Sequence, residues 1–348
     1  MSQHPRITVL MSVYNGEKYL REAIDSILSQ TYGGFEFVIY DDCSTDASSE
    51  IIQSYHDERI DFRKIECNQG LTKNLADGID RANGEFVARM DADDIATPYR
   101  LEAQLSWLDA HPDIAILGSQ VMYFDAKGDI GVTHEPQDNE AIKISLMSSF
   151  TLLHPTIMMR VSDLRRNGLN YNPKYRYSQD HALYFDCMLK GLKFANHPEP
   201  LLKMRSHGGS ISKSKHDLQK ECSNRARAKI LETLGLAGVI SKEEKDAYDA
   251  VANGELPSLA TSLWAFDSFV DKLCGGSGVG NVVDQERLRL AFARKLWALV
   301  YANAREPRWR GVRKLYWNTN MAKLQSPHIS LRMMMKYYAK SVLSYFGC

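Results

Sequence analysis

Short apolar runs alternating with helical patterns fill the first third of the chain and leave little choice of architecture. Ile7–Val13 is a β-branched run that ends at Tyr14-Asn15-Gly16, and Leu20, Ala23, Ile24, Ile27 and Leu28 then recur at helical spacing. Residues 35–40 form a second run ending in Asp41-Asp42, and 46–55 reads as a helix. Residues 60–65 read as a strand, and Leu71, Leu75, Ile79 and Ala82 share one helical face. The strand 85–90 ends in Asp91-Ala92-Asp93-Asp94. Thr97-Pro98 has the form of a helix start, a capping hydroxyl before a first-turn proline, and Leu101, Leu105 and Leu108 continue it. The apolar stretch 114–124 closes the series. Such alternation predicts an α/β fold, a mostly parallel sheet with helices on both faces. Ligands bind beyond the carboxyl ends of strands in such sheets, and three polar clusters fall there: Tyr14-Asn15, Asp41-Asp42 and Asp91 to Asp94.

The pattern is mixed over 130–209, with a helix at 140–149, a strand at 156–160, a helix at 179–190 and short strands up to Arg205. Beyond Lys213 it is mainly helical. The 348 residues suit about two domains. With 44% apolar residues the chain has ample material for a core, which excludes disorder as its main state. Equal numbers of basic and acidic residues argue against a general nucleic-acid coat, and no nucleic-acid partner is expected. Six scattered cysteines without a C-x-x-C fit neither a zinc site nor a disulfide framework, so a reduced, cytoplasmic protein is expected. The opening MSQHPRITVL lacks the apolar core of a secretion signal, and no run reaches the ~18 apolar residues of a membrane span.

Clustered carboxylates repel one another unless a cation relieves them. Asp91, Asp93 and Asp94 at a strand end therefore suit a hard divalent ion, which takes oxygen ligands and retains substrate phosphates in its shell; an acidic turn before the next helix is the plainer alternative. In the Asp41–Asp46 cluster, Asp42 is placed to accept from a nucleobase or ribose, while Asp46 or Ser44 caps the helix that follows. The glycine-rich stretch 275–280 has no P-loop lysine, follows a helical segment and breaks G-x-G-x-x-G at Asn281, so it reads as a flexible connector.

Four ordered motifs carry a resemblance to a known family: S-V-Y-N-G-E-K-Y-L-R-E-A-I-D-S-I-L-S-Q-T-Y from Ser12, V-I-Y-D-D-C-S-T-D from Val38, N-Q-G-L-T-K-N from Asn68, and A-N-G-E-F-V-A-R-M-D-A-D-D from Ala82. Together they resemble the family 2 glycosyltransferases of GT-A fold, particularly bacterial enzymes that build surface polysaccharides. The likeness is specific over residues 5–120, looser to 212, and absent beyond. It implies a nucleotide-sugar-binding half over 1–125, an acceptor-binding half over 126–215 and a helical region over 216–348.

The resemblance also implies roles for single residues. Ser12, Tyr14 and Asn15 would line the nucleotide pocket and Asp42 would bind the base, usually uracil. Asn68 and Lys73 would lie near the nucleoside and diphosphate; Lys73 stands where many relatives have arginine. Asp91 would touch the ribose or donor sugar, Asp93 would ligate Mn²⁺ or Mg²⁺, and Asp94 would contact the donor or support the ligands. The general base of the family sits in an E-D pair; here the pair is Gln179-Asp180, leaving Asp180 as the base of an inverting transfer. Tyr175 and Tyr177 would supply a sugar-stacking wall or ordinary packing. The segment from Arg205 to Ser212 resembles a loop that closes over the diphosphate, with His207 completing the metal shell and Arg205 neutralising the leaving group. His154-Pro155-Thr156 would shape the acceptor region. No nucleophilic cysteine or serine is expected, because a single displacement needs none.

Charge segregates late. Between Arg305 and Lys340 stand nine basic residues and one acid, Glu306. Arg332, Lys336 and Lys340 would align on one helical face, beside Leu331, Met334, Met335, Tyr338, Val342 and Phe346. A basic amphipathic helix suits an anionic bilayer, and packing on the chain itself or on a partner subunit is the alternative. The expected partners are thus a nucleotide-sugar donor, with UDP favoured, a saccharide or lipid-linked saccharide acceptor, and a cytoplasmic membrane face. A metal-dependent phosphohydrolase and a non-catalytic sugar-nucleotide binder are the rival readings.

Overall fold

The computed structural model describes residues 4–148, 151–207, 216–255 and 260–302. The chain divides into two compact units, one of residues 1–146 with 150–226 and one of 147–149 with 227–348.

The first unit is a mixed α/β sheet with helices on both faces. In chain order its elements are β1 (Ile7–Val13), α1 (Leu20–Leu28), β2 (Phe35–Asp41), α2 (Ser48–Gln53), β3 (Ile60–Lys64), α3 (Leu71–Arg81), β4 (Phe86–Met90), β5 (Ile95–Ala96), α4 (Arg100–Ala110), β6 (Ile114–Asp125) and β7 (Gly128–Val132). They continue with α5 (Asn139–Ser148), a 3-10 turn His154–Thr156, β8 (Met158–Arg160), α6 (Val161–Arg166), α7 (Gln179–Leu189) and β9 (Lys193–Arg205). The strand order is β3-β2-β1-β4-β8-β6-β9-β5, with β7 paired to β6. β3, β2, β1 and β4 run parallel, as the alternation predicts.

Beyond β4 the order departs from the simple series. β8 runs antiparallel between β4 and β6, so residues 114–124 lie one strand further out than the next place in a parallel sheet. The expected short strands before Arg205 are one strand, β9, parallel to β6 with register shifts around Gln120. Pro198 and Pro200 interrupt β9 there, because proline donates no ladder hydrogen bond. The helix after Thr97 also starts differently: Tyr99 precedes its first turn with no side-chain cap, and the Thr97 hydroxyl donates to the Leu201 carbonyl of β9 at 3.1 Å.

Residue parity within the strands divides core from site. Ile7, Val9, Met11 and Val13 join Phe35, Phe37, Ile39, Phe86, Ala88 and Met90 in one buried cluster with α1, α2 and α4. The alternate residues face α3, whose Gly78 packs directly on Leu10 and whose Asp77 accepts from Tyr40 Oη at 2.5 Å. Because parallel partners share a side, register places Ser12 and Arg89 on that second face near the carboxyl ends of their strands, and Asp42 and Asp91 follow one residue beyond β2 and β4.

The second unit is helical in its described residues. It contains α9 (Lys242–Ala252), α10 (Ala260–Gly275), the short α11 (Ser277–Gly280) and α12 (Gln285–Ala302), while the division between units falls within α8 (His216–Thr233). Phe266, Phe269, Phe292 and Tyr248 form its aromatic centre, with Tyr248 stacked on Phe269 at 4.3 Å. Ser241 and Glu244 cap α9 reciprocally. The glycine-rich stretch is a packed helical turn and not a loose connector: Val279 is fully buried, and a Cβ on Gly278 would lie 2.7 Å from the Leu234 carbonyl oxygen. Among the described residues, no helix is long and apolar enough to cross a membrane. The basic segment 305–340 lies outside the described residues.

Candidate active site

The turn after β1 is stitched to the segment after β2. Asn15 adopts φ +53°, in the left-handed region that asparagine tolerates, and its Oδ1 accepts from Thr45 N at 2.8 Å. Its own N–H donates to Ser44 Oγ at 3.0 Å. Tyr14 beside it is 55% exposed, which leaves its ring face open to a ligand. Ser12 Oγ accepts from Asn74 Nδ2 of α3 at 3.0 Å.

Asp42 is buried, and its two carboxylate oxygens accept from the N–H groups of Gln69 and Gly70 at 2.9 and 2.8 Å. Asn68 Nδ2 adds a bond to the Asp42 carbonyl at 3.1 Å. The side chain expected to meet the base therefore also pins the loop that leads into α3, and each oxygen keeps a second lone pair. Lys73 is exposed on the first turn of that helix.

Ligand atoms of Asp91, Asp93 and Asp94 lie within 4.8 Å of one another just past β4. Each carboxylate has a different partner. Asp91 is ion-paired with the buried Arg89. Asp93 Oδ2 lies 2.8 Å from His207 Nε2, and Asp94 Oδ1 accepts from Arg205 N at 2.9 Å. Arg205 donates its Nε to the Asp93 carbonyl at 2.9 Å and pairs with Glu22 at 2.9 Å, between the rings of Tyr19 and Phe124. Its guanidinium is thus held at the acidic cluster by three separate elements.

Burial and the like charge of Asp91 raise the Asp93 carboxyl above the usual range, although His207 works against the shift. Asp94 is raised further, by burial and then by the charges of Asp91 and Asp93. Hard oxygen donors under mutual repulsion, with an imidazole at their edge, fit a divalent cation. The residues that would hold it are Asp93 and His207, with Asp91 and Asp94 beside them.

Asp180 lies in the first turn of α7, half-buried, with Oδ1 accepting from His181 N at 2.8 Å. Burial raises its carboxyl; the His181 N–H and the charge of Arg89 oppose that, and the charge of Asp91 adds to it. The base candidate and the acidic cluster therefore share one electrostatic neighbourhood. Tyr175 is tied to α3 by its carbonyl, which accepts from Thr72 Oγ1 at 3.2 Å, and Arg176 beside it is exposed near Gly70. His154 stands apart from the open site. It is buried, bonded through Nε2 to Tyr171 Oη at 2.7 Å, and kept neutral first by burial and then by Arg89. Glycines 208–209 and residues 210–212 of the Arg205 loop lie outside the described residues.

Arg89 went unassigned in the sequence. Its only signal was a cation within an apolar strand run, two positions before Asp91. The Glu22, Tyr19 and Phe124 cradle of Arg205 joins residues more than 80 positions from it and has no local pattern.

Comparison with known proteins bears on the family and the fold. The family model described as "Glycosyl transferase family 2" matches residues 8–168. The putative glycosyltransferase EpsE of Bacillus subtilis is 32% identical over 218 residues, which span 61% of this chain and 77% of that protein. Among solved structures, S. aureus TarS 1-349 in complex with UDP superposes with a TM-score of 0.52 at 19% identity, covering 98% of this chain and 91% of that one. The mannosyltransferase PcManGT from Pyrobaculum calidifontis, in complex with GDP-Man and Mn²⁺, gives 0.52 at 17% identity, with 99% and 88% covered. At such identities the two structures show a shared fold, the GT-A arrangement. The motifs, the matched span and the identity to EpsE make this chain a member of glycosyl transferase family 2.

Proposed function

We propose that this glycosyltransferase is inverting and metal-dependent, moving a sugar from a nucleotide-sugar donor, most simply a UDP-sugar, to a hydroxyl of a saccharide or lipid-linked saccharide during surface-polysaccharide assembly. The observation that carries the reading is the convergence of Asp91, Asp93 and Asp94 within 4.8 Å beside His207, with a separate half-buried carboxylate at Asp180 in the same electrostatic field. UDP on TarS and GDP-Man with Mn²⁺ on PcManGT support a nucleotide donor and a divalent ion.

In this reading Ser12, Tyr14, Asn15 and Asp42 enclose the nucleoside, with Asn68 and Lys73 at its edge towards the phosphates. Asp91 touches the ribose or donor sugar, Asp93 and His207 would hold Mn²⁺ or Mg²⁺, Asp94 contacts the donor or supports the ligands, and Arg205 neutralises the leaving group. The bound ion would offset charge that develops on the departing diphosphate. Asp180 accepts the proton of the acceptor hydroxyl as that oxygen attacks the anomeric carbon from the side opposite the leaving group. The C–O bond to the nucleotide breaks as the new one forms, and configuration inverts. The basic 305–348 segment would bring the enzyme to the cytoplasmic face of an anionic bilayer, where a lipid-linked acceptor resides.

Calorimetry with UDP, with and without Mn²⁺, tests the donor half: Asp93→Ala should lose the metal-dependent part of the affinity. Asp180→Asn should bind UDP with Mn²⁺ as the parent does and transfer about a hundredfold more slowly, in line with removal of a general base. Metal-dependent affinity that survives in Asp93→Ala overturns the ligand assignment.

A further inference from the structure

Arg205 is a permanent cation set against three carboxylates, and among the described residues its guanidinium pairs with none of them. Its main-chain N–H donates to Asp94 Oδ1 and its Nε to the Asp93 carbonyl, each at 2.9 Å, so the residue is tied to the acidic cluster. The carboxylate that its Nη2 reaches is instead Glu22 of α1, also at 2.9 Å. A guanidinium cannot give up its proton, and its planar fork matches carboxylate oxygens in pairs. Beside Asp91, Asp93 and Asp94 it is a built-in competitor for a divalent cation. Asp91 is already paired with Arg89, so the oxygens at stake are those of Asp93 and Asp94.

What restrains Arg205 comes from α1 and β6. Tyr19 precedes α1 and Glu22 stands in its first turn, three positions on, so the two side chains are neighbours on one side of the helix. The Tyr19 ring lies 4.2 Å and the Phe124 ring 4.5 Å from the guanidinium carbon, both within reach of cation–π attraction. The Tyr19 ring also meets the ring of His207 at 5.1 Å. The Arg205 side chain is 12% exposed and that of Glu22 56% exposed. A nearly buried guanidinium thus directs its charge at a half-solvated anion, while the buried Asp94 accepts only from its main chain.

We propose that Glu22, with the rings of Tyr19 and Phe124, is a positioning residue that holds the Arg205 guanidinium off the carboxylates of Asp93 and Asp94 and so keeps their oxygens open to the divalent cation. This rests on the reading of the acidic cluster as the metal site. Glu22 touches neither metal nor donor in this account; it acts through Arg205 alone.

Equilibrium dialysis of labelled UDP over a series of Mn²⁺ concentrations tests it, the readout being the Mn²⁺ concentration at half-maximal UDP binding. Glu22→Gln keeps the shape and removes the charge, and should raise that concentration about tenfold. In the Arg205→Met background the same substitution should change it by less than about twofold, because no guanidinium remains to compete. An unchanged value in Glu22→Gln, or an equal rise in both backgrounds, overturns the proposal. Where Arg205→Met retains too little UDP to follow, the paramagnetic resonance signal of free Mn²⁺ gives the same comparison without nucleotide. Thermal melts of Glu22→Gln should stay close to the parent, since an ion pair with a half-exposed partner adds little to stability. Asp93→Ala separates the premise: if its UDP binding depends on Mn²⁺ as the parent's does, the metal reading fails, whatever Glu22 does.

Discussion

A carboxylate proposed to take a proton is most useful when its own affinity for protons is raised, and the Asp180 carboxyl is raised. Burial raises it, and the His181 N–H and Arg89 oppose the shift. The proposed base role requires the ionised form, so under it kcat should climb with pH through an apparent value above the ~3.9 of a solvated aspartate and then level off. A rate that stays flat down to about pH 4 would contradict the assignment. The same shift has a stability consequence. A carboxyl raised in the folded state contributes stability below its unfolded pKa and loses that contribution as pH rises through its folded pKa. Asp180→Asn should therefore melt higher than the parent at neutral pH, a gain that shrinks on acidification, while transfer is lost. Calorimetric scans across pH check it. Asp42 and the Asp91 to Asp94 cluster were legible because each ends an apolar strand run, whereas Asp180 was suggested only by the resemblance. Arg89 was not, since a basic residue within a strand reads equally well as outward-facing. The approach of His207 to Asp93 spans 114 positions, and only the resemblance suggested it.

Elements were legible wherever their own pattern decided them, and misread where a neighbour did. The apolar runs of β1, β2 and β4 and the helical faces of α1 and α3 are local, and they appear as read. The strand expected at 156–160 appears as the three-residue β8, but its antiparallel place between β4 and β6 is set by those two edges and not by its own residues. Close backbone approach is equally invisible in sequence. At Gly84 an added Cβ would lie 2.5 Å from Thr8 N and 2.8 Å from Phe86 O, all backbone that cannot swing aside. The same peptide donates to Thr8 Oγ1 at 3.0 Å, which locks the entry to β4 against β1. Gly84→Ala should cost about 1–3 kcal/mol, the range for overpacking a tight site. Gly33→Ala, where nothing lies within 4 Å, should stay within about 0.5 kcal/mol of the parent. Urea titration of the two variants gives the comparison, and equal midpoints would refute the backbone-clash account.

Across the whole molecule, charge is balanced in total and unequal in place. Nine basic residues and one acid between Arg305 and Lys340 oppose a compensating negative excess in the rest of the chain, which contains the acidic site. A net-neutral protein gains nothing from an anionic surface as a body, so any attraction must come from that segment and repel the remainder. In the proposed membrane reading such a segment would orient the chain as well as hold it, since the acidic remainder would be favoured away from the lipid. Each basic residue near such a surface contributes about 1 kcal/mol, screened within a Debye length of about 10 Å at 0.1 M salt. Deleting residues 331–348 removes Arg332, Lys336 and Lys340 with the apolar Leu331, Met334, Met335, Tyr338, Val342 and Phe346. Co-sedimentation with phosphatidylserine-containing vesicles at low salt should fall about tenfold or more, and the parent should lose the same binding as salt rises. UDP affinity with Mn²⁺ should be unchanged in the truncated chain, because every residue placed at the donor lies before position 208. A pellet fraction that survives truncation places the attraction elsewhere. A truncation that also abolishes UDP binding would mean that the segment supports the fold and is not an anchor.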